Sequence, residues 1–133
     1  MTTFRAQIAN WNRRTKEELD AIARQTSQAM GQKVVYATPV DTGFLRGSWQ
    51  PSIGEPINAD GSPDPGGGTT VAKVAVVAAQ VISGQTFYMM NNAKYAGFVE
   101  HGTSKMAGRH YVLGTVKQWP KVVNEVLAEL KIK

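Results

Sequence analysis

The chain has 133 residues, 42% of them hydrophobic and 19% charged, with a net charge of +5 and no cysteine. That is the size of one domain with a modest core, and the composition is that of a soluble, folded protein. The lack of cysteine excludes disulfides and thiolate metal sites and fits synthesis in a reducing cytosol. No apolar run reaches the roughly 18 residues of a membrane span: Lys73 and Gln80 interrupt the most apolar stretch, Val71–Ile82. The N-terminus has no charged-then-apolar leader, so export is not expected.

Residues 1–37 carry six basic and three acidic groups, residues 38–100 three and five, and residues 101–133 six and two. Two basic ends therefore flank an acidic middle, an arrangement able to steer an acidic partner or nucleic acid. The bases are scattered among acids on expected helices, however, which favours solvated faces or protein contacts over a DNA-reading surface.

Apolar or small residues recur at Phe4, Ile8, Trp11, Thr15, Leu19, Ile22, Thr26, Ala29 and Met30, steps of three and four that predict a helix. Thr2 or Thr3 is the expected cap, and Pro39 stops the helix by disfavouring helical geometry at Thr38. About 30 residues at 1.5 Å each make a rod of roughly 45 Å, longer than so small a domain covers. Part of the stripe is expected to meet a neighbouring subunit. The alternative is a helix packed wholly on its own sheet, with a frayed start.

Val40-Asp41-Thr42-Gly43 reads as a turn, since Asp41 and Thr42 bond locally to backbone N–H groups and Gly43 permits positive φ. The alternation from Phe44 to Trp49 predicts a strand. Residues 50–70, rich in proline and glycine, are expected as a long flexible loop within a single domain spanning residues 1–133. Val71–Ile82 fits a helical face better than a strand, with Gly84 placed to end it. Thr86–Met90 predicts a strand closed by an Asn91-Asn92 turn.

Tyr95–His101 predicts a helical turn closed by Gly102, followed by a loop through Gly108. A last helix, about His110–Leu130, carries Val112, Val116, Trp119, Val123, Val126, Leu127 and Leu130 on one stripe. Pro120 either kinks it or opens a new helix at its first turn. The layout predicts an α+β domain, with a long N-terminal helix and a C-terminal helix packed on a small, mainly antiparallel sheet.

Catalytic chemistry finds little support. His101 and His110 flank Thr103 and Ser104, and Asp41 or Glu100 would be the orienting acid, but the spacing matches no hydrolase and no nucleophile elbow is present. Glu100, His101 and His110 have the donor types for a metal without a metal-ligand spacing. Gly66–Gly68 lacks the Lys-Ser/Thr of a phosphate loop. Tyr88, Tyr95, Phe98 and Tyr111 near Lys94, Lys105 and Arg109 resemble a base-stacking set, but Tyr88 and Phe98 are expected in the core. More promising are Asp41 with Arg46 and Glu100 with Lys105 or Arg109, either as bidentate pairs fixing loops or subunits or as exposed pairs of little consequence.

Two segments carry a resemblance. Thr38-Pro-Val-Asp-Thr-Gly-Phe-Leu-Arg46 with Ser48-Trp49, and Tyr95-Ala96 with Val99-Glu100, Gly102, Thr103, Ser104 and Lys105, are similar to motifs of tailed-bacteriophage neck proteins, the tail completion, head–tail joining or minor tail proteins. The order of elements is similar too. The chain departs from the pattern at Met106–His110, where many relatives place a proline.

The resemblance implies a structural virion protein made in the host cytoplasm, without enzyme activity or cofactor. It implies a homo-oligomeric ring, six-fold, between the capsid connector and the tail tube. Expected partners are the connector or head-closure protein and the tail tube or tail terminator protein, with non-specific contact to DNA in the lumen. Asp41, Thr42, Arg46, Tyr95, Glu100, Thr103 and Lys105 are the matching positions expected at an interface, and Arg109, in the departing segment, joins them as a base able to meet an acid on the next subunit of a ring. Tail terminator, head-closure stopper and, from another class, a non-specific DNA-binding module are the alternatives.

Overall fold

The computed structural model describes residues 3–103 and 106–131. It begins with one helix, α1 (Phe4–Ala37), capped by Thr3, whose Oγ1 accepts from the Ala6 N–H at 3.1 Å. Extended geometry at Thr38, ahead of Pro39, ends it. Its buried residues begin only at Asp20 and continue through Thr26, Gly31, Val34 and Val35. From Phe4 to Leu19 every residue is exposed except the half-buried Ala6 and Thr15. The first 16 residues thus project about 24 Å beyond the buried part of the helix.

Asp20 and Arg24, one helical turn apart, mark where α1 becomes anchored. The Asp20 carboxylate accepts from the Ser83 N–H at 2.8 Å, and Arg24 Nε donates to the Val81 carbonyl at 2.9 Å. The Ser83 N–H holds the Asp20 carboxyl below its usual range, against the opposing effect of burial.

Phe44–Trp49 is not the strand its alternation predicts. Phe44–Gly47 forms a single helical turn, α2, and the strand β1 (Trp49–Ile53) starts where that reading ends. Gly43 stands before the turn at φ +87°, a conformation open to glycine and costly for other residues. The Ser48 hydroxyl bonds back to the Phe44 carbonyl at 2.6 Å. Leu45, Ser48 and Trp49 are buried together, at the three- and four-residue spacing of a helix.

The stretch 50–70 is likewise shorter as a loop than expected. Its start belongs to β1, which pairs antiparallel with β2 (Phe87–Asn91), Pro51 facing Met89. A proline is tolerated there because a two-stranded ribbon has only edge strands. Its end belongs to α3 (Gly68–Ala78), which leaves 54–67 as the connection. A side chain at Gly47 would collide with the Ser62 carbonyl, so backbone lies directly on backbone there.

Helix α3 confirms the helical reading of the 71–82 region but stops at Ala78, so Gly84 lies in the following turn and does not end it. Helix α4 (Ala96–His101) ends at Gly102, as read. Beyond it the expected loop holds a minimal antiparallel hairpin, β3 (Gly102–Thr103) with β4 (Met106–Ala107). The last helix is two: α5 (Tyr111–Val116) and α6 (Trp119–Glu129), with Pro120 in the first turn of α6.

The buried face of these two helices is turned away from the stripe that the spacing predicts. Tyr111 and Thr115, then Val122 and Val126, are buried, while Val116 and Trp119 of the predicted stripe are exposed. Both α5 and α6 lie along α1. The core joins Val34 and Val35 of α1, Leu45, Trp49, Val74, Ala93 and Tyr111, with Phe87 and Met89 of the ribbon against it. The result is an α+β domain with a long N-terminal helix, a C-terminal helix and small antiparallel sheets.

Candidate functional site

The first motif folds into a clasp at the end of α1. Thr38 is buried; its hydroxyl donates to the Val34 carbonyl at 2.6 Å and accepts the Trp49 indole N–H at 2.8 Å. Arg46 spreads its guanidinium over three carbonyls, Pro65 at 2.7 Å and Tyr36 and Thr38 at 3.0 Å each. It thereby ties the helix end to the 54–67 connection. Asp41 and Thr42 sit exposed in the turn, where Thr42 Oγ1 accepts from the Phe44 N–H at 3.3 Å. Asp41 and Arg46 do not form an ion pair: both guanidinium Nη groups bond to carbonyls, and the buried Nε has no partner among the described residues.

The second motif is also built around a backbone partner. Glu100 is buried, and its two carboxylate oxygens accept from the N–H groups of Val112 (2.9 Å) and Leu113 (3.0 Å). The acid therefore caps the start of α5, where unpaired N–H groups point out. An ion pair with Arg109 is not formed; the Arg109 side chain is exposed and meets no acid among the described residues. Lys105, the other expected partner, lies outside the described residues. Thr103 lies in β3, opposite Met106.

Burying Glu100 decides the fate of Phe98. Two residues apart on a helix means about 200° of rotation, so the ring faces solvent at 59% exposure, not the core as expected. Tyr88 is only half-buried. Tyr95 is exposed beside Phe44, their ring centroids 6.5 Å apart. Tyr111 is buried, and its hydroxyl pKa is pushed up to about 12, first by burial, then by the charges of Glu100 and Tyr95.

Two anchors were not legible as such in the sequence. One is the Asp20–Arg24 bracket described above. The other is Asp64, whose Oδ2 accepts from both the N–H (2.8 Å) and the hydroxyl (2.7 Å) of Thr70 and so secures the first turn of α3. The N–H bond from Thr70 leads the causes that hold the Asp64 carboxyl below its usual range. An acid a few residues ahead of a helix was the available signal.

Among the described residues, no cluster of three or more His, Cys, Asp or Glu side chains forms a possible metal site. No described helix is long and apolar enough to cross a membrane. What the molecule does present is unsatisfied apolar surface. Phe4 is 76% and Trp11 60% exposed on the projecting part of α1, with Ile8 and Leu19 on the same stripe. A groove of about 810 Å³ opens between α1, the ribbon, α5 and α6, walled by Ile22, Met30, Phe87, Val112, Val116 and Trp119.

Thr38, Arg46 and Glu100 of the motifs thus stabilise the fold through backbone groups, and the exposed candidates for contact are the α1 stripe, the groove and the Tyr95–Phe98 surface. No family model, curated protein or solved structure matches the chain.

Proposed function

We propose that this chain is a non-enzymatic structural subunit of a tailed-phage neck, a tail completion or head–tail joining protein that assembles as a homo-oligomeric ring. In this reading it is made in the bacterial cytoplasm and ends in the virion, between the capsid connector and the tail tube. The observation that carries the proposal is the apolar stripe on the projecting half of α1, which is left exposed by the described residues. Helical segments of about a dozen residues are marginal in water without tertiary contacts, and large apolar patches mark protein-binding surfaces. A subunit completed by its neighbours accounts for both.

The two motifs that resemble neck proteins support the same reading, now with Arg46 and Glu100 in the role of fold-holding groups. Tyr95, Asp41, Thr42 and Arg109 remain exposed and are proposed as contact positions. Size-exclusion chromatography with light scattering tests the class. A discrete ring is expected; a strict monomer that shifts only with DNA identifies a DNA-binding module instead. Pull-down against purified connector and tail-tube proteins tests the position: binding to neither removes the neck assignment, and binding to one distinguishes completion protein, terminator and stopper.

A further inference from the structure

We propose that the projecting half of α1 from one copy lies in the groove of the next copy, with Phe4, Ile8 and Trp11 against the α1–α5–α6 walls. This rests on the reading that the chain assembles with itself, and it names the two surfaces that meet.

Ridge and groove occur in one molecule yet cannot satisfy each other within it. Between Phe4 and Met30 the helix has neither glycine nor proline to bend at. Phe4 stands about 22 Å along the axis from Leu19, which borders the groove. Each copy therefore offers one ridge and accepts one, at successive places along the same face of α1, and the two can meet only between copies.

The groove asks for an apolar occupant: Ile22, Met30, Phe87, Val112, Val116 and Trp119 wall it, and the ridge offers Phe4, Ile8 and Trp11.

Area points the same way. The exposed parts of the Phe4 and Trp11 rings alone amount to on the order of 300 Å². With the rest of four helical turns, this approaches the ~800 Å² per partner of a standard interface.

Mixing two defective variants tests the proposal. Ile8→Glu spoils the ridge and leaves the groove; Val116→Glu spoils the groove and leaves the ridge. Both positions are exposed in the single chain, and circular dichroism checks that each variant stays folded. Each alone is expected to be monomeric in light scattering at concentrations where the wild type assembles, with association at least tenfold weaker. Their mixture is expected to form a one-to-one dimer, because one intact ridge and one intact groove remain. Monomers that stay monomeric on mixing overturn the proposal, as do variants that assemble like the wild type; in either case self-assembly itself stands.

A wild type that is monomeric throughout removes the self-assembly reading and this inference together. Should Val116→Glu not fold, the cysteine-free chain allows a second measurement. Single Ile8→Cys and Val116→Cys variants, mixed and oxidised, are expected to give the mixed disulfide in excess of either homodimer. Homodimers alone would overturn the proposal.

Discussion

The indole N–H of Trp49 donates to Thr38 Oγ1 at 2.8 Å, and the same hydroxyl donates onward to the Val34 carbonyl at 2.6 Å. One buried hydroxyl thus links the end of α1 to the start of β1. Thr38→Val keeps the shape and leaves the indole N–H and a carbonyl unpaired, so it is expected to cost about 1–3 kcal/mol. Trp49→Phe removes the donor and leaves a void, at a cost of similar order. Urea denaturation of both single variants and the double variant checks this; the double is expected to cost less than the sum, because the two act through one bond.

Glu100 gives a sharper test, because its two oxygens serve two N–H groups. Glu100→Gln keeps one acceptor oxygen but turns an NH₂ group towards the N–H of Val112 or Leu113. The expected loss is about 1.5–3 kcal/mol, seen as a lower thermal midpoint in calorimetry. A variant as stable as the wild type would show that the cap on α5 contributes nothing.

Arg46→Lys replaces a planar fork with a single ammonium. It cannot span the carbonyls of Pro65, Tyr36 and Thr38 in the same geometry. A loss of about 1–2 kcal/mol is expected. The 54–67 connection should also be cut faster in limited proteolysis, since that guanidinium ties it to the end of α1.

The pH dependence has two limbs of opposite sign. Asp20 and Asp64 have carboxyl pKa values below their ordinary 3.8, each led by a backbone N–H bond, from Ser83 and Thr70 respectively. The unfolded chain then binds more protons in acid, so their contribution is full above the ordinary value and is lost as pH falls through the lowered one. Asp64→Asn is expected to flatten the acid limb of stability against pH. Tyr111, raised to about 12 by burial and then by Glu100 and Tyr95, behaves oppositely. Its contribution is full below the ordinary tyrosine value of about 10 and is lost as pH rises from there towards the raised value. Tyr111→Phe is expected to remove that alkaline loss, measured by urea midpoints across the range.

Much of the fold was legible because it follows from local pattern. The three- and four-residue spacing from Phe4 to Met30, Thr3 and Pro39 delimit α1 closely. The misread places have equally definite causes. Phe44–Gly47 is too short for alternation to separate a turn of helix from a strand, and Pro51 signals a loop only where the sheet continues on both sides. The stripe drawn from Val112 to Leu130 ran across Pro120, which opens a new helix; the buried face is instead that of Tyr111, Thr115, Val122 and Val126, which leaves Val116 and Trp119 at the groove.

By itself the sequence determined the α+β class, the long first helix and its excess length, since periodicity, caps and rise per residue are properties of neighbouring residues. Only the tertiary structure decided what the charged motif residues do. Arg46 and Glu100 look like halves of ion pairs in a linear reading. Both instead bind backbone groups eight to nineteen residues away, because carbonyls and N–H groups freed at helix ends must be satisfied wherever the chain brings a charge to them. The tertiary structure likewise decided that Phe98 faces water, since burying Glu100 on so short a helix turns the opposite side outward.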